Sequence, residues 1–178
     1  MIYNKLKHYK TGKILFFNFR KKRSYLIKKI ISKIYLLKGS VKIVDLGGTE
    51  SYWNIIGDDF LNKNKVKITL INLIDYKIKN KNIFSQINKD FFKCEFKKYS
   101  FDLSFSNSVI EHIGDTKKQI SFCNLHKNLA KFYYLQTPNK FFFIEPHFMF
   151  PFFNFLPRSV QLFILSNFNL GNFKKKKY

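Results

Sequence analysis

Asp45 and the glycine pair Gly47-Gly48 stand together in the run VKIVDLGGTESYW, residues 41–53. Four mostly apolar residues lead into the carboxylate, and the glycines follow at once. This is the pattern of a buried strand that breaks into a tight turn and then a helix, the arrangement by which an open α/β sheet holds a nucleotide-type cofactor. Glycine takes φ values that other residues resist and lets backbone approach a ligand closely. A glycine pair after a strand also makes an ordinary turn, so the segment has to be weighed with others. Further polar groups close apolar runs: Asn72 after VKITLI, Asn107 and Ser108 after FDLSFS, and Thr137 after FYYLQ; Asp90, in Asn88-Lys89-Asp90, precedes a turn-like segment. For moving a proton, the candidates are His112 and His147, because imidazole titrates near neutrality. For each, capping or packing is the competing role.

Elements that would position these groups are legible in outline. From Tyr25 to Leu37, apolar Leu26, Ile30, Ile34 and Leu37, with Ile27 and Ile31 beside them, recur at helical spacing while Lys28, Lys29 and Lys33 fill the other face. Gly39 ends this amphipathic helix. Strands are expected at 41–44, 66–73, 101–106 and 132–136, a short helix at 52–60, and a longer one running through Gln119 to Leu129. Thr137-Pro138-Asn139 stops the last strand, since proline cannot continue a central ladder. Strands that alternate with helices argue for βαβ units and a parallel sheet, in which ligands sit beyond the carboxyl ends of the strands. Asp45, Asn72, Asp90, Asn107 and Thr137 are then expected at one edge.

The 178 residues suit one domain with a core, which 46% hydrophobic residues can supply. A net charge of +22, from 33 Lys+Arg against 11 Asp+Glu, would ordinarily suggest nucleic acid or an anionic membrane surface as partner. The basic residues are nearly all Lys, spread along the chain with abundant Asn, Ile and Phe, the mixture an AT-rich coding sequence produces. Concentrations are few: Arg20-Lys21-Lys22-Arg23 with Lys28-Lys29, and Lys174 to Lys177. Nucleic acid is therefore not the expected partner. Cys94 and Cys123 form no C-x-x-C, so neither a disulfide framework nor a zinc site is suggested, and a reduced, cytoplasmic setting fits. The Phe-rich stretch 141–168 is interrupted by Glu145, Pro146, His147, Pro151, Pro157 and Arg158, which makes a poor membrane span. Peripheral membrane contact stays open, since exposed Phe beside Lys is what an interfacial helix presents.

With these segments in order, the sequence resembles the class I S-adenosylmethionine-dependent methyltransferases. VDLGGTES is similar to their first motif, Asn88-Lys89-Asp90 to the later loop whose Asp meets the adenine, and FDLSFSNSVIEHIGD to the fourth-strand segment of small-molecule methyltransferases, with Glu111-His112 its most specific part. LQTPNKFFFIEPHFMFPFFNFLP resembles the fifth strand and the substrate-side insertion of a bacterial subgroup. The resemblance spans roughly Arg20 to Gly171.

The resemblance implies a Rossmann-like three-layer α/β sandwich around a mostly parallel twisted sheet, with S-adenosyl-L-methionine as cofactor and a small-molecule, sugar or lipid acceptor. It implies that Asp45, with the backbone of Leu46, Gly47, Gly48 and Thr49, receives the methionine end. Asn72 stands where an acidic residue usually accepts from the ribose hydroxyls; it can accept with one carbonyl oxygen but lacks the charge. Asp90 and Phe91 would meet the adenine, Asn107 and Ser108 would line the space around the sulfonium, and His112 or His147 would serve as base where the acceptor must lose a proton. Thr49 and Ser51 replace further glycines of the motif. Family members continue into a last helix and an antiparallel strand pair, whereas this sequence ends in Lys174-Lys175-Lys176-Lys177-Tyr178. Either a truncated or frame-shifted copy lacking that pair, or a smaller sheet that suffices, is therefore expected. The expected organisation is a basic segment at 1–24, the cofactor-binding domain at 25–140, and a Phe-rich insertion with basic tail at 141–178. A non-catalytic basic module, binding nucleic acid or membrane, is the alternative from another class, and an inactive truncated methyltransferase is a third reading.

Overall fold

β-Branched and apolar residues at 41–46 and 66–72 lie side by side as the centre of a five-stranded sheet. The computed structural model describes residues 24–139, 144–145 and 150–168. The chain divides into two compact units, 1–137 and 138–178. In the first, α1 (residues 24–38) is followed by β1 (Val41–Leu46), α2 (Glu50–Trp53), α3 (Asp58–Lys63), β2 (Val66–Asn72), β3 (Phe84–Asn88), β4 (Phe101–Asn107), α4 (Thr116–Leu129) and β5 (Ala130–Gln136). Strand order is β3-β2-β1-β4-β5, and every pairing is parallel. The fold is the Rossmann-like α/β sandwich expected, and among the described residues no antiparallel strand joins this sheet. Its order reverses between β1 and β4, which opens a crevice at the strands' carboxyl ends.

Alternation of side chains across the pleat gives the sheet two apolar faces. On one, Ile43, Leu103 and Phe105 pack with Trp53, Leu61 and α1 residues Ile27, Ile31 and Ile34. On the other, Val44, Leu46 and Ile71 meet Phe122 and Leu129 of α4. The buried stripe of α1 is thus Ile27-Ile31-Ile34, whereas Leu26 and Leu37, read from sequence as part of it, are exposed. The two phases lie side by side on the helix, and the β-branched stripe is the one that meets the sheet.

Several boundaries differ from the sequence reading. The single short helix expected over 52–60 is two pieces, parted by Gly57 at φ 89. β3, FSQIN, was not foreseen, because this edge strand buries only Phe84 and carries polar residues that read as loop. β1 runs two residues further than expected, because pairing with Leu70 and Ile71 continues through Asp45 and Leu46. That extension places the Asp45 carboxylate within the sheet.

In the second unit, β6 (Ile144–Glu145) pairs antiparallel with β7 (Phe150–Pro151). A 3-10 turn at Phe153–Phe155 and α5 (Arg158–Asn167) follow. Gln161 ties them together by donating to the carbonyls of Phe153 at 3.1 Å and Leu156 at 2.9 Å. Among the described residues no helix is long and apolar enough to cross a membrane.

Candidate active site

Asp45 is 1% exposed. Its Oδ2 accepts a hydrogen bond from Trp53 Nε1 at 2.9 Å, while Oδ1 is buried with no partner. A Cβ at position 48 would lie 1.8 Å from Oδ2, so only glycine there leaves room for the carboxylate beneath the turn. Gly47, at φ 77, has its own reason to be glycine: a Cβ would come within 2.6 Å of Val109 Cγ2. Burial pushes the Asp45 carboxyl up to about 7, against the smaller downward pull of the Trp53 N–H. One oxygen of this buried carboxyl is left without a donor.

Asn72, the last residue of β2, points back at this turn. Its Nδ2 donates to the carbonyl oxygens of Gly47 (3.1 Å) and Gly48 (3.2 Å), and its Oδ1 accepts from Ile74 N at 3.3 Å. The amide therefore holds the glycine loop, a task a carboxylate cannot perform because it has no hydrogen to donate. Gly47 N donates to Ile71 O at 2.7 Å, and the Leu46 carbonyl accepts from Ser106 Oγ at 3.1 Å. The backbone at 46 and 47 is thus tied into the fold, and the Leu46 side chain belongs to the core. Gly48 and Thr49 are the loop positions that remain.

A cavity of about 680 Å³ opens between the ends of β1, β2, β3 and β4, within the range of small-ligand sites. Gly47, Asn72, Asp90, Phe91, Ser108 and His112, all expected at a site, border it. Asp90 caps a 3-10 turn by accepting from Phe92 N at 3.0 Å. The Phe91 ring packs at 5.2 Å on Phe122 of α4, which fixes that wall. Ser108 sits at φ 58 with its N donating to Gln136 O at 2.8 Å, joining the ends of β4 and β5. Lys118 and Ser121, one turn apart on α4, border the cavity too. Their i, i+3 spacing near the start of α4 is the one sequence signal for them.

Asp45, Leu46, Gly48, Thr49 and Asn107 do not border this cavity. Thr49 Oγ1 lies 2.9 Å from Ser51 Oγ. Asn107 Oδ1 is buried without a partner, as is Glu111 Oε1; the other Glu111 oxygen accepts from Thr137 Oγ1 at 3.0 Å. Unpaired acceptors therefore gather at the ends of β1 and β4 and just past β4. His147 lies outside the described residues. His126, unremarked in the sequence, is fully buried beneath the sheet with Nδ1 2.6 Å from Ser104 Oγ and Nε2 unpartnered. Burial pushes it down to about 4, against an upward pull from hydrogen bonding at Ser104. It is a neutral core group.

No protein-family model matches the sequence, and no curated protein does. Among solved structures the chain is similar to a SAM dependent methyltransferase from Aquifex aeolicus, at 14% sequence identity and a TM-score of 0.39, over 70% of this chain and 69% of that one.

Proposed function

We propose that this chain binds S-adenosyl-L-methionine at the crevice between β1 and β4 and transfers its methyl group to a small-molecule, sugar or lipid acceptor. The observation that carries the reading is the buried Asp45 carboxyl, with one oxygen unpaired beneath a glycine turn that Asn72 fastens, Gly47 and Asn72 themselves bordering the cavity. A ligand with a cationic amine, a carboxylate, two ribose hydroxyls and an adenine asks for this sequence of groups. Asp45 Oδ1 suits the ammonium, and the N–H groups of Gly48 and Thr49 suit the carboxylate. Asn72 Oδ1 keeps a lone pair for a hydroxyl, and Asp90 with Phe91 offers an acceptor and an apolar wall for the base.

When bound, the cofactor supplies a methyl group on a sulfonium, already activated for in-line displacement. The protein's part is then alignment and exclusion of water. Ser108 lines the cavity, and Asn107, the residue before it, keeps a buried unpaired Oδ1 that would suit a donor. His112, on the cavity wall, takes up a proton at its imidazole nitrogen where the acceptor must lose one; His147 has the same chemistry at the start of the Phe-rich stretch.

Thermal unfolding with and without S-adenosyl-L-methionine tests this directly. At a hundredfold excess over its dissociation constant, the midpoint is expected to rise by roughly 5 °C. An unchanged midpoint in a folded sample would overturn the reading.

A further inference from the structure

Helix α5 is apolar on both sides. Ile164 and Leu165 are half-buried beside Gln161, the residue that ties the helix to the preceding turn. The opposite side presents Val160 (39% exposed), Leu162 (56%) and Phe163 (63%) among Ser159, Ser166 and Asn167. Phe152 (61%) and Phe168 (55%) stand exposed before and after the helix. Water-facing helix surfaces ordinarily carry charge, and one that past Arg158 carries none and exposes large apolar side chains calls for a cover.

The charge pattern indicates what that is. With 33 Lys+Arg in 178 residues, a composition bias alone would scatter lysines here as elsewhere. Yet no charged residue occurs from Ser159 to Phe173, and no Asp or Glu follows Glu145. Cations flank the gap instead: Arg158 at the helix start and Lys174 to Lys177 after it. An uncharged aromatic and aliphatic stretch bracketed by cations, without a single anion, complements the boundary between acyl chains and anionic headgroups. The helix has 10 residues, about 15 Å long, enough to lie in that boundary and too short to cross it. Neither nucleic acid nor an acidic protein surface calls for exposed Leu and Phe in the middle of such a stretch.

We propose that α5 and the exposed residues beside it are a docking surface for an anionic lipid bilayer, with Phe152, Leu162, Phe163 and Phe168 entering the interface and the cations that bracket the stretch in sequence supplying the attraction to the headgroups. This does not depend on the cofactor reading. The full chain is mixed with vesicles of phosphatidylcholine containing about 30% phosphatidylglycerol, and with pure phosphatidylcholine. Co-sedimentation is expected to be at least about tenfold stronger on the anionic vesicles and to weaken with salt. Combined Leu162→Ser and Phe163→Ser substitution is expected to lower it about tenfold again, with far-UV dichroism unchanged. In a Phe163→Trp chain, tryptophan emission is expected to move to shorter wavelength on adding anionic vesicles; the native Trp53 is 0% exposed and gives a constant background.

Undiminished binding by the double Ser variant would show charge alone at work and overturn the proposal. So would an unshifted emission spectrum from the Phe163→Trp chain, duplex DNA binding that needs Leu162 and Phe163, or a dimer that dissolves on their replacement.

Discussion

Two buried titratable groups set opposite pH trends at the residue scale. Asp45 rises from 3.8 to about 7 on folding, so its contribution is complete below the unfolded value and is lost as pH climbs through 7. His126 falls from 6.5 to about 4, so its contribution is complete above 6.5 and is lost as pH falls toward 4. They are worth roughly 4 and 3 kcal/mol, and between about pH 4 and 6.5 the two trends oppose. Urea unfolding of Asp45→Asn is therefore expected to show stability rising steeply over that window, while His126→Gln shows it falling; parallel curves for the two variants would refute the assignment. Asn72 yields a sharper expectation. On the sequence resemblance alone, Asn72→Asp would be expected to strengthen cofactor binding. The structure makes it damage, because a carboxylate would face the Gly47 and Gly48 carbonyls with nothing to donate. The variant is expected to lose about 1–3 kcal/mol of stability and to bind S-adenosyl-L-methionine more weakly, and tighter binding would contradict the role given to the amide. That role was hidden in the sequence because an amide's type and position do not tell which way it points.

The elements themselves were largely readable, for reasons that also explain the misses. β1, β2, β4 and β5 announce themselves as β-branched and aromatic runs with turn residues after them, and at their carboxyl ends Asn72, with Gly47 and Ser108 just beyond, borders the cavity while Asp45 and Asn107 Oδ1 stay buried. β3 stayed hidden because an edge strand need bury only one residue well, and Gln86 and Asn88 look like loop. α1 was recognised, but of its two adjacent apolar stripes only packing against Ile43 and Leu103 decides which is buried. The start of α4 is fixed by Asp115, whose carboxylate accepts from Lys118 N at 2.9 Å. This helix carries Lys118 and Ser121 to the cavity and Phe122 to the wall behind Phe91. Asp115→Ala is expected to cost about 1 kcal/mol in chemical denaturation, with the loss also felt at the cavity as faster amide exchange in the first turn. An unchanged midpoint would mean that the tertiary packing of Phe122 and Leu129 alone defines where α4 begins.

Taken as a whole, the molecule brings groups from five distant segments to one sheet edge. This convergence follows from parallel topology, since every strand ends on the same side. Sequence could place Asp45, Asn72, Asp90, Asn107 and Thr137 there because strand ends are local features. It could not show that Asp45 lies inside the sheet with one oxygen on Trp53 and one unpaired, since that depends on how far β1 stays paired to β2 and on a tryptophan eight residues away. The net charge of +22 carried little about the site, whose acids and amides were chosen one by one. Titration calorimetry with S-adenosyl-L-methionine at pH 6 and pH 8 measures the central claim. Asp45 must be ionised to pair with an ammonium, so affinity in the micromolar range is expected at pH 8 and about tenfold weaker binding at pH 6. Asp45→Asn is expected to flatten that difference and Asp90→Ala to weaken binding at both values; no heat from the folded wild-type chain at either pH would contradict the account.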